Sequence, residues 1–514
     1  MQTDTSTAAR KRSGYAGAAG VAVALGFTEL FAGLFASVPS AIASIGSVVV
    51  DISPSWLESF AISVFGTQDK AVLAIGIFVT ALLIGYFLGR HSVKDPTAIV
   101  VGFLLFGVLG MFTQIDQPGA ELAASAASTL VSLGIGLAAF YGLKLWWTPV
   151  QRDVTDDDPG DIGRRRILVG IAGAATVTVV TIGIGRAMLR SKAEAQRSAL
   201  ILPVPVESAP DPTAAHDFDL PGVPPVVVGN ATFYRIDTAL VVPAVDPDEW
   251  TLTIKGMVDR EIVLTYRDLQ DMDLVERYVT LSCVSNKVGD NLVGNALWTG
   301  VMLRDVLEMA GVQPGAEQIV GRSVDGWTSG FPLEAAFDGR DAMIAIGMNR
   351  EVLPADHGFP ARMVVPGLYG YVSATKWITE IELTTWDAFD GYWIPRGWAK
   401  EGPIKTQSRI DRPRNNDSIA AGPYTLGGVA WAPTRQITKV ETQIDEGPWV
   451  EAQLAESLSA DAWRLWQADV DLSPGDHLIR VRATDGTGET QTEVEVDPRP
   501  DGATGWHTIG VTAT

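Results

Sequence analysis

The chain has 514 residues, 47% of them apolar, with a formal net charge of −21, five histidines and one cysteine. Residues 1–200 carry 15 Lys/Arg against 14 Asp/Glu and the remainder 24 against 46, so a near-neutral apolar part precedes an acidic body. That balance excludes nucleic-acid binding, which needs a positive face, and a single cysteine excludes an intrachain disulfide, a four-cysteine zinc site and a thiolate-held iron–sulfur cluster.

A helix needs about 20 mostly apolar residues to cross a bilayer core. Five stretches meet or approach that length: Gly14–Ala36, Ala71–Leu88, Ala98–Ile115, Leu122–Trp146 and Ile167–Met188. A sixth, Ala41–Val50, is too short, and Pro39 and Pro54 bracket it; it reads as an interfacial or re-entrant piece. Arg10, Lys11 and Arg12 precede the first span, Arg90 and Lys94 follow the second, and Arg152, Arg164, Arg165 and Arg166 precede the fifth. The alternate loops hold mainly acids: Asp51, Glu58 and Asp69, then Asp116 and Glu121. By the bias of basic residues toward the inside, five spans place everything after Met188 outside the cytoplasm. The run Asp156, Asp157, Asp158 and Asp161 goes against the pattern, but acids weigh little in it.

Arg164-Arg165-Arg166-Ile167-Leu168 reads either as a basic anchor or as a twin-arginine export signal. Glu29 is the clear ionisable group inside a span, facing a neighbouring helix, sitting protonated near the outer surface, or serving a proton or quinone role. His91 is the one histidine of this part, which excludes a transmembrane haem held by two histidines.

Seven prolines between Pro203 and Pro225, with no helical period, predict an extended spacer. Beyond it, Trp250–Lys255 and Tyr278–Cys283 alternate at the strand period, and Val301–Ala310 has helical spacing with Gly311 as its C-cap. From about Ala420 the chain turns to short alternating strands: Thr425–Ala430, Ile437–Ile444, Ala462–Val470, His477–Thr484 and Gln491–Val496. They predict an immunoglobulin-like β-sandwich, suited to interaction rather than acid–base chemistry. The predicted divisions are a transmembrane domain at 1–190, a linker at 191–228, an α+β domain at 229–414 and the sandwich at 415–514.

Cys283 closes a predicted strand. By itself a lone cysteine reads as a small buried hydrophobe, a nucleophile or a soft-metal ligand, and His357 is the one histidine between it and the sandwich. Four stretches in order resemble the sulfite oxidase family of molybdopterin-dependent oxidoreductases. They are Phe233-Tyr234-Arg235 with Trp250 and Gly256; Leu281-Ser-Cys283-Val-Ser-Asn286 with Asn295, Trp298 and Gly300; His357-Gly-Phe-Pro360-x-Arg362 with Tyr369-Gly370 and Lys376-Trp377; and Gly391-Tyr392-Trp393 with Arg396-Gly397-Trp398. With the terminal module the match runs over residues 229–514.

The resemblance implies a fold and a set of roles. It implies a mixed α+β molybdopterin domain, followed by a β-sandwich of the dimerising kind, that performs oxygen-atom transfer on a small sulfur compound. Cys283 falls at the molybdenum-binding thiolate, and Tyr234, Arg235, Asn286, His357, Arg362 and Lys376 fall at positions that hold the pterin and its phosphate. Tyr392 falls near the family's active-site tyrosine; alternatively it packs under a lid with Trp393 and Trp398. The apolar Val288 stands where sulfite oxidases place a sulfite-binding arginine, with Arg499 as a substitute from the terminal module. No haem domain is present, so electrons pass to a separate electron-transfer protein or quinone-linked subunit. The resemblance therefore points to a membrane-anchored molybdenum oxidoreductase in contact with lipid, and to a homodimer through the terminal module. The alternatives are a sulfoxide reductase of the same family and a non-catalytic membrane-anchored binding protein.

Overall fold

A computed structural model describes residues 2–35, 37–54, 57, 64–65, 68–117, 120–148 and 159–514. Glu58, Arg152 and the acidic run Asp156, Asp157 and Asp158 lie outside the described residues. The chain divides into two compact units, Met1–Ala195 with Ala239–Ala244, and Gln196–Thr238 with Val245–Thr514.

The first unit is helical: α1 (Gln2–Leu34), α2 (Ala41–Ile52), α3 (Asp69–His91), α4 (Thr97–Ile115), α5 (Leu122–Trp146) and α6 (Pro159–Ala199). Five of these are long and apolar enough to span a membrane, and α2 is not. α1 is packed on several sides, and small residues let its neighbours approach. A Cβ on Gly17 would strike Gly85 and Gly89 of α3, one on Gly20 would strike Gly136 of α5, and one on Gly33 would strike Gly185 of α6. Glu29 faces α2. Its carboxylate accepts bonds from Ser40 Oγ (2.8 Å) and Ile42 N (3.2 Å), which satisfies donors at that helix's start.

The second unit begins with the Pro-rich stretch, which is not a free spacer. Val206 N donates to Leu274 O (2.8 Å), Glu207 bridges Val275, and Val228 N donates to Asn295 O (2.9 Å). Prolines lack the N–H for a regular ladder, so the segment is held by isolated bonds and by the buried Val226 and Val228.

The strands that follow are β1 (Thr251–Gly256), β2 (Ile262–Thr265), β3 (Val275–Ser282), β4 (Val293–Met302), β5 (Gln318–Ser323), β6 (Thr328–Pro332), β7 (Met343–Met348), β8 (Glu351–Val352), β9 (Arg362–Val364) and β10 (Ile378–Thr384). They form two sheets, ordered β2-β1-β10-β5-β6 and β3-β4-β7-β8, with β9 paired to β7. Helices α7 (Tyr266–Asp271), α8 (Leu303–Ala310) and α9 (Gly370–Ser373) punctuate them. Gly311 caps α8 at φ 76°, as its position predicts. One continuous core, with Trp298, Ile319, Phe331, Ile346 and Met363 fully buried, runs under both sheets.

The remaining strands are β11 (Gln407–Arg412), β12 (Ser418–Ile419), β13 (Gly422–Trp431), β14 (Ile437–Ile444), β15 (Val450–Glu451), β16 (Gln453–Leu454), β17 (Arg464–Leu472), β18 (Gly475–Asp485) and β19 (His507–Ala513). Two sheets, β11-β13-β17-β16 and β12-β19-β18-β14-β15, enclose a second core around Leu426, Val440, Trp466 and Val481. The predicted strand Gln491–Val496 is not one. Its residues Thr492–Val496 are exposed, and β18 instead pairs with β19 from Gly475↔Ala513 to Val481↔His507.

Candidate active site

Cys283 stands one residue past β3, where the chain leaves the sheet and returns at β4. The exit is a hydrogen-bonded loop: Cys283 N donates to Leu292 O (2.9 Å), Asn286 N to Cys283 O (3.1 Å), and Leu292 N to Asn286 Oδ1 (2.7 Å). Asn286 therefore shapes the loop that presents the thiol. The Cys283 sulfur lies 2.9 Å from Ser285 Oγ, and burial pushes the thiol's pKa up against that contact. Such a sulfur ionises readily only where a cation or metal repays the loss of water.

A buried aromatic and cationic cluster is built around Phe233, Trp298, His357 and Arg362. Phe233 stacks on Tyr234 (5.2 Å between centroids) and meets Trp298 and His357 edge-on at 5.9 and 5.6 Å. The Arg362 guanidinium lies over Trp298 at 4.9 Å and donates to the carbonyls of His357 (3.1 Å) and Met363 (3.4 Å). Arg362 is 4% exposed, and among the described residues its hydrogen bonds are to carbonyls and no salt bridge reaches it. Desolvation lowers its pKa to about 10. His357 donates to or accepts from its surroundings through Nε2, 2.8 Å from Asn230 O, while the buried Nδ1 has no partner among the described residues. Burial first, then the nearby Arg362 and Lys376, lowers its pKa to about 4, so the ring is neutral at neutral pH.

Lys376 and Arg235 differ from Arg362 in having acids at hand. Lys376 Nζ bonds Asp237 Oδ2 and Asp356 O, both at 3.1 Å, and Arg235 pairs with Asp237 (2.9 Å) and Asp356 (3.1 Å). Burial still lowers Lys376 to about 8. Asp237, inside the first matched stretch, and Asp356, one residue ahead of the third, carry no signal in sequence, because their role arises only when residues 235 and 376 meet.

Two tyrosine hydroxyls feel the charge of Cys283. Burial first and that charge second raise Tyr234, and Tyr369 moves up to about 12 with the same leading cause. Tyr369 is buried at the start of α9, and its hydroxyl accepts from Lys405 N at 3.4 Å. The Tyr392 ring carries the Arg396 guanidinium at 3.7 Å and meets Trp393 at 5.1 Å, and its backbone N–H donates to Thr328 Oγ1 (3.1 Å). Trp398 packs on Tyr371 and Trp393, which extends the aromatic cluster. Arg499 donates to the Gly397 and Arg396 carbonyls. From the terminal sandwich, Arg409 donates to Asp290 O (2.8 Å), and the His507 ring fills the space that a side chain on Gly289 would need. Sequence reading did not find these two, since no spacing connects them to Cys283.

The donor set suits an anionic, sulfur-rich cofactor. A buried guanidinium bonded to carbonyls alone, an orphaned imidazole nitrogen and one thiol are complementary to a phosphate and to a metal that brings most of its own ligands. No group of three His, Cys, Asp or Glu able to hold a metal ion exists among the described residues.

Comparisons with known proteins agree with this chemistry. A family model described as an oxidoreductase molybdopterin binding domain matches residues 239–393, and one described as a Mo-co oxidoreductase dimerisation domain matches residues 401–512. The uncharacterized oxidoreductase YuiH of Bacillus subtilis is 32% identical over 180 residues, which cover 35% of this chain and 87% of that protein. Mitochondrial sulfite oxidase of Homo sapiens is 27% identical over 289 residues, 47% of this chain and 53% of its own. The chain belongs to the sulfite oxidase family of molybdopterin-dependent oxidoreductases. Sulfite oxidase of Gallus gallus is 29% identical over 49% of this chain and 66% of its own, so the chain spans about half to two thirds of the length of these two sulfite oxidases. Among solved structures, the sulfane dehydrogenase SoxCD from Paracoccus pantotrophus aligns with a TM-score of 0.49 and 23% identity, over 58% of this chain and 82% of that one. With five membrane-spanning helices ahead of these domains, the protein is a membrane-anchored oxidoreductase of the family. The non-catalytic reading is set aside.

Proposed function

We propose that this enzyme moves an oxygen atom onto or off a small sulfur compound, outside the cytoplasm. The observation that carries the cofactor reading is Arg362, a buried guanidinium bonded to carbonyls alone. An uncompensated charge in the interior is unfavourable unless an anion joins it. In this reading Cys283 is the thiolate ligand of molybdenum, and Tyr234, Arg235, His357, Arg362 and Lys376 hold the pterin and its phosphate, with Asn286 fixing the loop. When bound, the molybdenum cofactor supplies the two-electron redox chemistry of oxygen-atom transfer. The chain's own residues bind, orient and exclude water. His357, neutral, offers Nδ1 without adding charge, and Lys376 keeps its proton through Asp237. Tyr392 belongs to the substrate side of the lid, and its aromatic neighbours close that side.

The divisions at 1–190, 191–228, 229–414 and 415–514 follow from the same reading. The basic residues of alternate loops support an outside location. Electrons leave or enter through a separate electron-transfer protein or a quinone-linked subunit, and the terminal module pairs two copies. Sulfoxide reduction is the second reading. The half-buried, apolar Val288 in the Cys283 loop favours an uncharged substrate over an anion.

The test is the molybdenum and pterin content of the full chain, wild type against Cys283→Ser. Stoichiometric metal in the wild type, with an altered spectroscopic sulfur signature in the variant, is the expected result. A folded wild type with neither metal nor pterin, after expression in a host that makes the cofactor, overturns it.

A further inference from the structure

At the end of the helical unit where basic residues gather, α1 and α3 border a groove of about 520 Å³. Its floor is apolar: Ile84, Phe87 and Leu88 of α3. Arg10 of α1, with Arg90 and Lys94 at the end of α3, forms its rim, and His91 stands beside them. Among the described residues no carboxylate lines it. Asp95, the adjacent acid, is turned into its own turn, where one oxygen accepts from Thr97 N (3.0 Å) and Thr97 Oγ1 (2.6 Å). The Arg10 Nε is buried with no hydrogen-bond partner among the described residues.

Bias toward basic residues on one side of a membrane explains why cations stand at this end. It does not explain a guanidinium nitrogen buried without an acceptor among the described residues, nor an apolar floor beside three cations. Phe87 is 63% exposed, on a helix apolar enough to face acyl chains. Basic pockets beside spanning helices suit anionic headgroups, because a phosphate accepts several bonds from guanidinium forks and an ammonium at once.

We propose that this groove holds an anionic phospholipid, its phosphate clamped by Arg10, Arg90 and Lys94 and one acyl chain laid along Ile84, Phe87 and Leu88. A zwitterionic lipid brings the same phosphate but adds a cation to a rim that has no acid among the described residues, so charge selects the anionic headgroup. The bound lipid ties α1 to α3 at this end of the unit.

The experiment is native mass spectrometry of the full chain, titrated in detergent with phosphatidylglycerol, with phosphatidylcholine, or with inorganic phosphate. One phosphatidylglycerol per chain is expected to survive conditions that strip phosphatidylcholine. The combined Arg10→Gln, Arg90→Gln and Lys94→Gln variant is expected to bind it about tenfold more weakly or worse. Ile84→Trp keeps every charge and fills the trough; it also weakens binding. Arg164→Gln with Arg165→Gln and Arg166→Gln alters basic residues outside the groove and leaves binding intact. Equal retention of both lipids overturns the proposal, as does equal loss in the Arg164–Arg166 variant or full occupancy by inorganic phosphate alone. Gel filtration of each variant reports whether it is folded.

Discussion

Burial acts on Arg362, Lys376 and His357 in one direction, drawing their pKa values down to about 10, 8 and 4, yet it leaves them with different charges at neutral pH. Arg362 alone of the three keeps a full charge with no acid beside it. In cofactor-free protein, Arg362→Met should therefore raise stability by about 1–4 kcal/mol, as replacement of buried ionic groups by apolar ones often does. The same variant should retain less pterin, so denaturation midpoint and pterin fluorescence should move in opposite senses. The histidines give a second expectation. His357 and His507 are both held near 4 by burial, against about 6.5 in an unfolded chain. Each unfolded histidine thus binds a proton that its folded form does not, and stability falls as pH drops from about 6.5 to about 4. The slope is about 1.4 kcal/mol per pH unit per histidine at its limit, and His507→Gln should halve what the two contribute, as read from urea midpoints across that range. Cys283, His357, Arg362 and Lys376 can be named from sequence because they stand within motifs that resemble those of the family, and the roles given to them rest on that resemblance. Asp237, Arg409 and His507 cannot, since they matter only through folding-dependent proximity, and Tyr369 stands in a matched motif without a role that its spacing reveals.

At the scale of elements, the loop from Cys283 to Leu292 depends on one backbone conformation. Gly289 adopts φ 85°, and His507 occupies the side where a Cβ would stand. Gly289→Ala should meet both strain and collision, costing about 1–3 kcal/mol from the backbone alone. Loss of bound molybdenum with the secondary structure intact, by metal analysis and far-UV dichroism, is the expected signature. Strands whose alternation faces a core were readable, as β14 shows by running from Ile437 to Ile444 as predicted. Thr492–Val496 alternates equally well but faces no core on either side, and β19 takes the neighbouring ladder. Periodicity reports a capacity for pairing, and only the competing strand decides who pairs. The short α2 was likewise legible as a non-spanning piece, whereas its link to Glu29 through Ser40 was not.

Over the whole molecule, the asymmetry of basic residues makes a sidedness prediction that fluorescence can read. Green fluorescent protein fused after Thr514 should be dark if exported unfolded to the outside, and a fusion after Lys94 should be bright. The opposite pattern would place the catalytic part inside. A different consequence follows from the Pro-rich stretch. In the sheet ordered β3-β4-β7-β8, β3 is an edge, and Val206 and Glu207 cover that edge beside Leu274 and Val275. Further on, Val226 O accepts the indole N–H of Trp463 (2.8 Å) from the terminal sandwich. The tether is therefore also a clasp. A protease cut near residue 228 that removes the preceding residues would release a catalytic fragment whose strand edge is bare from Leu274 to Glu276, inviting self-association, whereas a cut near residue 199 would release one that stays closed and disperse.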